Sequence, residues 1–414
     1  MITRFSVLIK NVNYPKLFSA FFLAYIAATL IIPVAPYNKI LFILLVLIYL
    51  GYILSQKIEL SKVIRITIAP FVIAGVFLYG TLLALNIPHN AELLKQFGLY
   101  PLTLFLIYPI ITFQMDMNLF IKRSGLILSV LTLVFFIPVY LQRFIQVADF
   151  GQFLNSIIDY LVKYGSVAVG YRYFGSFVVP MMHFGVNPYL FATFCVILSD
   201  LLKTKRLSDF FAIVIVFLAI TLSTSRALLI CIFLSTLIIV FFPPKGRHDW
   251  IILVIVFAVL CIALWLLFPM IVAFFNPKEY SNAIKIGHLN SFFTNLTFDR
   301  ALIGNGLATN YYSKGVNTMI AHTEMTLLDL VRYFGIPLTI VFFLCVLRPY
   351  KIRNYTIGIY KTTAIGIVYF VMLSSTNPTL LNSYGSLVLL WYWEMLAEQW
   401  QTNETFHNND AKQS

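Results

Sequence analysis

Charged residues are scarce in this chain of 414 residues, where Asp, Glu, Lys and Arg together make up 11%. A soluble domain carries about 25% charged residues, because its surface must be hydrated. Hydrophobic residues make up 60% of the chain, aromatic residues 16%, and the mean hydropathy is +0.88. This composition excludes a soluble globular protein and indicates a protein embedded in a membrane.

Several patterns that carry metal-dependent or nucleophilic chemistry are also missing. Only four cysteines are present, all within apolar runs, so neither disulfides nor a zinc site are expected. The acidic residues of the expected outer face include no Asp-x-Asp pair, the spacing with which metal-dependent glycosyltransferases hold their ion. No glycine-rich phosphate loop, nucleophile elbow or His-Glu-x-x-His motif occurs. We therefore expect no metal and no cofactor, and neither ATP hydrolysis nor proteolysis.

What the chain does contain is a series of apolar runs of roughly 18–25 residues, each long enough to cross the ~30 Å hydrocarbon core as a helix. We predict an all-α, polytopic membrane protein with about 12 spans. The predicted spans are 17–34, 40–54, 63–87, 97–115, 124–142, 175–199, 209–224, 226–242, 250–275, 324–347, 355–373 and 383–398. They form a single transmembrane domain over residues 1–398, followed by a polar tail at 399–414.

Lysine and arginine are concentrated in the N-terminal segment and in the short loops on one side of this predicted bundle. Because they are scattered through many loops, the net charge of +13 reflects membrane orientation and not nucleic-acid binding. By the positive-inside rule, both termini and the polar tail lie in the cytoplasm. The two longer connections, 143–174 and 276–322, then face outward.

The two outer connections differ in character. In the first, apolar residues recur at helical spacing over 147–161, which predicts an amphipathic helix lying flat on the outer membrane surface. A loop that packs onto its neighbouring spans is the alternative. The second connection is the longest polar stretch of the chain and must lie in water at one membrane face, because lipid cannot accommodate irregular backbone.

Three arginines at the expected outer face are candidate binding residues. They are Arg172, next to Tyr171 at the end of the first connection, Arg226 in a tight hairpin between two spans, and Arg300 in the second connection. An arginine held near lipid is costly, which suggests an anionic partner, and its guanidinium binds phosphate through two hydrogen bonds. Several arginines around one outward cavity would suit a diphosphate. For each arginine alone, snorkelling to the membrane surface is the alternative explanation.

Further polar residues surround the start of the span 324–347. His322 can accept a proton near neutral pH and is a candidate general base. On a continuous helix, His322, Asp329 and Arg332 share one face, whereas Glu324 points the opposite way unless the helix begins after it. Asp329 and Arg332 are three residues apart inside a span and are predicted to form a structural ion pair.

Together, these short motifs resemble the bacterial O-antigen polymerase and ligase superfamily. The motifs are Ser-x-Ser-Arg at 223–226, Arg172 between two tyrosines, Gly304-Asn305-Gly306 in the long connection, His322 before a span with Gly335-Ile336-Pro337, and Asn377-Pro378 in a Ser/Thr-rich outer turn. The resemblance implies a GT-C-like fold and metal-independent, inverting glycosyl transfer at the periplasmic face of the bacterial inner membrane. Donor and acceptor would both be oligosaccharides carried on undecaprenyl diphosphate.

The resemblance also implies roles for the candidate residues. Arg172, Arg226 and Arg300, with Tyr171, would hold the diphosphate and stabilise the charge that departs with it. His322, or Glu324 in its place, would deprotonate the attacking sugar hydroxyl. Two sizeable outer connections favour a polymerase, which joins repeat units into long chains, over a ligase, which moves the glycan to lipid A core. The other partners implied are membrane lipid, a chain-length regulator and a flippase of the same pathway.

The main rival from another functional class is a transporter or flippase for lipid-linked oligosaccharides, because about 12 spans with both ends inside would also suit it. A transporter is expected to show repeated halves and ionisable residues at mid-membrane. The sequence shows no convincing internal repeat, and its charged candidates lie at the outer edge apart from Asp329 and Arg332. A structural scaffold would not need the arginines and the histidine.

Overall fold

The computed structural model describes residues 13–31, 37–58, 64, 66–141, 148–163, 167–174, 177–223, 225–241, 280–351 and 356–413, and most of them are helical. The helices are α1 (Tyr14–Ile31), α2 (Tyr37–Gln56), α3 (Ala69–Ala84), α4 (Ala91–Leu104), α5 (Ile107–Thr112), α6 (Met117–Leu141), α7 (Ala148–Lys163), α8 (Leu190–Thr204), α9 (Leu207–Leu222), α10 (Arg226–Phe241), α11 (Tyr280–Asn295), α12 (Phe298–Ile303), α13 (Thr326–Leu347), α14 (Ile357–Ile367) and α15 (Ser383–Gln413). A 3-10 turn covers Asn187–Tyr189 and a π-helical turn covers Val368–Leu373. Two antiparallel hairpins pair β1 (Val167–Phe174) with β2 (Phe177–Phe184) and β3 (Tyr311–Ser313) with β4 (Thr318–Ile320).

Five helical segments among the described residues are long and apolar enough to cross a membrane. They are α1, α2, Ala91–Thr112 (α4 and α5 together), Met117–Val139 in α6, and α13. Shorter apolar helices cover Ala69–Ala84, Leu207–Leu222, Arg226–Val240 and Ile357–Leu373. The described part of the chain is therefore compatible with a polytopic membrane protein, as its composition predicts. The number of spans and their orientation stay predictions, and the predicted span 250–275 lies outside the described residues.

The predicted span 175–199 is wrong in its first half. Residues 177–184 form strand β2, which pairs with β1 along its whole length. Val178 and Val179 are β-branched and favour a strand, and Pro180 cannot donate the hydrogen bond that a helix interior requires. Because an apolar run alone does not distinguish a strand from a helix, the all-α class missed this hairpin.

The segment predicted as an amphipathic helix over 147–161 is helical in the structure, where α7 covers Ala148–Lys163. Ile158 is buried on its inner side, while Gln152 and Asp159 are exposed on the other. A helix of this length is only marginally stable in water by itself, so packing of its buried side against the bundle contributes to its stability. Its position on a membrane surface stays a prediction.

Helix α15 fixes one end of the bundle. Its first half lies with α8 at the centre and is almost entirely buried. Tyr392 Oη donates to the carbonyl of Leu347 (3.0 Å) and Trp393 Nε1 donates to that of Val346 (2.9 Å), so α15 packs firmly against the end of α13. We call this the opposite end, and we call the end where α13 begins the loop end, because residues 280–325 cover it.

Helix α13 is broken in its middle. Gly335 has a φ of 74° and a ψ of 169°, which are not helical values. Pro337 has no N–H, so it cannot bond to the carbonyl of Tyr333, four residues earlier, as a helix would require. The break therefore frees a buried carbonyl that must find another donor.

The missing donors come from the turn Gly304-Asn305-Gly306, which belongs to the segment 280–325 at the loop end. The N–H groups of Asn305 and Gly306 donate to the carbonyls of Arg332 (2.7 Å) and Tyr333 (3.0 Å). Gly304 and Gly306 have φ values of 83° and 92°, a region that favours glycine. A Cβ at Gly304 would also lie 2.5 Å from the Tyr333 carbonyl oxygen, so the close approach requires glycine. The turn thus completes the hydrogen bonding that the kinked helix lacks.

The loop also docks onto the end of α3 and the turn that follows it. Three backbone hydrogen bonds make this contact: Leu307 N–H to Gly80 O (2.8 Å), Asn90 N–H to Ala308 O (3.0 Å) and Asn310 N–H to Pro88 O (2.9 Å). Because these bonds flank the glycine turn, the loop is held against both α3 and α13. These contacts fix the polar segment around Gly304–Asn310 against two apolar helices.

Candidate active site

His322 does not lie on helix α13, which begins at Thr326, after Glu324, so the condition of a continuous helix from His322 to Arg332 is not met. Thr323 explains why the helix does not begin earlier. Its N–H and its hydroxyl both donate to Asp329 Oδ2, at 2.6 and 3.0 Å. Its Oγ1 also accepts the N–H of Met325 at 3.0 Å. Such local bonds compete with helical ones and stop the helix from extending towards its N-terminus. The chain instead folds back over the first turn of α13.

This fold-back brings His322 against Asp329. Nδ1 of His322 lies 3.5 Å from Oδ2 of Asp329, and the side chains are 35% and 3% exposed. The ring of Phe97 meets the imidazole edge-on, with 6.0 Å between centroids. A buried carboxylate beside one imidazole nitrogen fixes the orientation of the ring. The remaining nitrogen, Nε2, is then the atom that can accept a proton from a substrate.

Asp329 and Arg332 form an ion pair inside α13, with Nη2 3.0 Å from Oδ1. Arg332 also donates to the carbonyls of Thr309 and Ala321, one on each side of the β3–β4 hairpin. The ring of Tyr311 lies 4.2 Å from the guanidinium carbon, within cation–π range. One buried guanidinium thus holds both ends of the hairpin segment against α13 and presents Asp329 to His322.

A cleft of about 250 Å³ lies between this hairpin and helices α11 and α12. It is lined by Ile87, Phe292, Asn295, Leu296, Arg300, Asn305, Thr309, Asn310, Tyr311, Tyr312 and Arg332. None of these lining residues is acidic, and two of them are arginines. Because Asp329 already pairs with Arg332, Arg300 supplies the uncompensated positive charge among these lining side chains, and amide and hydroxyl groups line the cleft beside it.

The two arginines reach the cleft in different ways. Arg300 is exposed and donates one hydrogen bond, from Nη1 to the Asn295 carbonyl at 3.1 Å. Arg332 is buried, and its Nε has no hydrogen-bond partner among the described residues. Burial raises the pKa of Tyr311 to about 12, so its phenol keeps its proton and can donate to an oxyanion. Sequence reasoning assigned Arg300 to a binding site but treated Arg332 only as half of an ion pair.

Glu324, the alternative general base, lies outside helix α13 and is 60% exposed. Its carboxylate lies 3.9 Å from Nζ of Lys285 on α11. The contact with buried Asp329, which orients the imidazole, favours His322 over Glu324 for the acceptance of a proton.

His288 on α11 is a neighbour that sequence reasoning set aside. It is buried, and its Nδ1 lies 2.6 Å from Oγ of Ser313 in strand β3. Burial lowers its pKa, and the nearby charges of Asp329 and Glu324 act in the opposite direction. A neutral His288 thus joins α11 to the hairpin close to His322. Its isolated position in the sequence gave no signal of this contact.

Arg226 is the first residue of α10 and is half-buried. Five residues later, Cys231 Sγ lies 3.7 Å from the carbonyl of Val368, in the π-helical turn that leads to Ser374. The carbonyl of Ser374 in turn accepts the N–H of Thr326, the first residue of α13. Arg226 therefore lies at the loop end of the bundle, and its position at an outer membrane face stays a prediction. It is not among the residues that line the 250 Å³ cleft.

Tyr171 and Arg172 lie in the middle of strand β1. Their backbone partners in β2 are Pro180 and Val179. Because β2 leads directly into the 3-10 turn and α8, the hairpin is attached to the central helices of the bundle. Contact of these two side chains with a diphosphate stays a prediction.

An apolar groove of about 470 Å³ lies between α1, α6 and α7 near the loop end. Its walls include Leu30 and Ile31 of α1, Phe135 of α6 and Phe153 of α7, and Phe184 of β2 closes one side. Such a groove is wide enough for hydrocarbon, and the amphipathic helix α7 forms one of its walls. Among the side chains that line the groove, only those of Ser156 and Tyr160 carry a polar atom, a hydroxyl in each case.

Comparisons of the chain with protein-family models, with curated proteins and with solved structures found no match. The resemblance to the polymerase and ligase superfamily therefore depends on the short motifs alone. Within the described ranges, no group of three or more His, Cys, Asp and Glu side chains is placed to hold a metal ion. Chemically, the loop end combines an oriented imidazole, a cleft with two guanidinium groups and an apolar groove.

Proposed function

We propose that the protein is a metal-independent, inverting glycosyltransferase of the O-antigen polymerase type. It would act at the periplasmic face of the bacterial inner membrane and join repeat units carried on undecaprenyl diphosphate. The observation that supports this proposal most strongly is the contact of His322 with Asp329 next to a cleft that contains Arg300 and Arg332. A general base and fixed positive charges are the two elements that displacement of a diphosphate requires without a metal.

In this mechanism the sugar hydroxyl of the acceptor loses its proton to Nε2 of His322 as its oxygen attacks the anomeric carbon of the donor. The bond between that carbon and the diphosphate oxygen breaks, and the diphosphate leaves with the electron pair. Attack from the face opposite the leaving group inverts the anomeric configuration. Asp329 stabilises the imidazolium that forms, while Arg300 and Arg332 offset the charge on the departing diphosphate.

Arg226 and the apolar groove beside α7 would serve the same reaction outside the 250 Å³ cleft. Arg226 lies at the same end of the bundle and could bind the diphosphate of the acceptor, because a polymerase must hold two such groups. The apolar groove beside α7 would take part of the polyprenyl chain. Van der Waals packing of the chain against these apolar walls would position the carrier while the head group reacts.

The proposal is tested by the lipopolysaccharide of a strain that lacks the gene. A polymerase predicts single repeat units on lipid A core and no long chains. Bare core with retained lipid-linked polymer would identify a ligase instead. Repeat units trapped on the cytoplasmic side would identify a flippase, and an unchanged ladder would exclude all three functions.

The proposed site is tested by complementation with variants. His322→Ala and Arg226→Ala are expected to abolish long polysaccharide while membrane levels of the protein stay normal. Glu324→Gln serves as the matched control, because this carboxylate is exposed in the same loop and is expected to be dispensable. If His322→Ala restored the normal ladder, or if Glu324→Gln alone abolished it, the assignment of the base would be wrong.

A further inference from the structure

A second polar cleft lies at the opposite end of the bundle, on the order of 30 Å from the candidate active site by the length of α13. Its volume is about 560 Å³, and it opens between α8, α10, α14 and α15. Its floor is apolar and consists mainly of Cys195, Val196, Ile239, Ile365, Trp391 and Met395. The rim, by contrast, carries charged side chains. The combination of an apolar floor and a charged rim is typical of a site for an amphiphilic ligand.

Three lysines lie on the rim of this cleft. Lys361 of α14 is half-buried, whereas Lys203 and Lys205 at the end of α8 are exposed. Lys203 is close enough to Lys361 to repel it. In the part of the chain that the structure describes, neither Lys203 nor Lys361 has an ion-pair or hydrogen-bond partner. Two like charges at the edge of an apolar cleft are unfavourable unless an anion lies between them.

The start of α14 adds to the positive potential. Gly358, in the first turn of this helix, lines the cleft, and Thr356 caps the helix through the N–H of Ile359. The N-terminus of a helix carries a partial positive charge, and a cation within its first turns is unfavourable. Lys361 nevertheless occupies the second turn. The helix end and the lysines therefore favour the same kind of ligand, an anion.

The two acidic residues on the rim, Asp200 and Glu398, form no ion pair with Lys203 or Lys361 in the described part of the chain. Asp200 already binds Lys122, with Nζ 2.6 Å from Oδ2. Glu398 is exposed on α15 and shares a hydrogen bond with Glu394, one turn earlier. Lys122 is shared with Asp209, at 2.8 Å, and among the described residues Lys203 and Lys361 themselves have no ion-pair partner.

We propose that this cleft binds a phosphate group, held by Lys361, Lys203 and the N-terminus of α14. The apolar floor beside the lysines fits the hydrocarbon of a phospholipid, and a soluble phosphate ester shares the head-group chemistry. The site is independent of the proposed glycosyl transfer, because it lies at the other end of the bundle and uses none of the same residues.

The binding test uses the full-length protein in detergent and native mass spectrometry. Phosphatidylglycerol, diacylglycerol and inorganic phosphate are titrated separately. We expect phosphatidylglycerol to bind and diacylglycerol, which has the same chains without phosphate, to bind at least 10-fold more weakly, on the order of one charge-assisted hydrogen bond. Displacement of phosphatidylglycerol by millimolar inorganic phosphate would identify a soluble phosphate ester as the natural ligand, whereas no displacement would identify the lipid.

Variants then locate the site. Lys361→Gln and Lys203→Gln are each expected to weaken phosphatidylglycerol binding about 10-fold, the loss expected for one charged hydrogen bond. Lys16→Gln, an exposed lysine at the same end of the bundle but outside the cleft, is the matched control and should bind as the wild type does. Lys203 is exposed, so its variant is expected to fold even if Lys361→Gln does not. Equal binding of phosphatidylglycerol and diacylglycerol, or unchanged binding in both variants, would overturn the proposal.

Discussion

Asp329→Asn separates the proposed role of this carboxylate in catalysis from a role in folding. Asparagine keeps the shape of the side chain and can still accept a hydrogen bond from Thr323, which Asp329 Oδ2 binds at 2.6 Å. What it removes is the negative charge 3.5 Å from the His322 imidazole. In the proposed reaction that imidazole becomes positive in the transition state. The substitution should therefore reduce the rate of the chemical step more than the binding of substrate.

The size of the effect follows from the geometry. Two unit charges 3.5 Å apart interact by about 5 kcal/mol at an effective dielectric constant near 20. Solvent screens this interaction, because the His322 side chain is 35% exposed, so roughly 2–3 kcal/mol remain. This loss corresponds to a fall in kcat of roughly 30- to 150-fold, with KM changed by less than about threefold.

The assay is chain elongation by purified protein, with the lipid-linked repeat unit isolated from the parent strain as substrate. Thermal unfolding of the same samples records the folded fraction, because Arg332 loses its ion-pair partner and the variant is expected to be less stable. Glu324→Gln is the control for the loss of a carboxylate in the same loop. A folded Asp329→Asn protein with wild-type kcat, whether or not its KM is raised, would refute the role of Asp329 as a positioning residue.

Four further outcomes are expected. Arg300→Lys should lower kcat/KM about 10-fold, because an ammonium cannot replace the two parallel hydrogen bonds of a guanidinium; an equal rate would argue for simple charge balance. Gly335→Ala should lower the Tm and the activity together, since a Cβ there would meet the Leu302 carbonyl oxygen; a change of under 1 °C would contradict the packing. Elongation should persist in EDTA, and recovery of lost activity by Mg²⁺ would disprove the metal-free mechanism. Because burial lowers the pKa of His288, stability should be complete above about pH 6.5 and fall below it; His288→Gln should flatten this acid limb of a Tm-against-pH curve.

The helical, membrane-embedded character of the chain could be predicted because it depends on composition and run length, which are local properties. The β1–β2 hairpin could not, because 175–199 is mostly apolar and hydropathy does not separate a strand from a helix. Its signals were present in Val178, Val179 and Pro180, but they are weak beside a long apolar run. The composition of a run therefore predicts its environment better than its conformation.

The candidate site was predictable in its residues but not in its geometry. A continuous helix would place His322, Asp329 and Arg332 on one face, but α13 begins at Thr326, and the bond between Thr323 and Asp329 folds the chain back so that His322 reaches Asp329 in another way. The pairing of Arg300 with Arg332 in one cleft depends on tertiary contacts over 32 positions of the chain, and no local pattern encodes it.

The break in α13 explains why the polar segment around Gly304–Gly306 and an apolar helix form one site. Pro337 leaves the carbonyl of Tyr333 without a helical donor, and a bilayer offers no water to replace it. The N–H of Gly306 provides the missing bond, at 3.0 Å, only if the loop lies against the helix. Arg332 lies one residue before this contact, so the bond that satisfies the backbone also fixes the wall of the cleft. Any loosening of the glycine turn should therefore cost stability and anion binding together, because the same few atoms serve both.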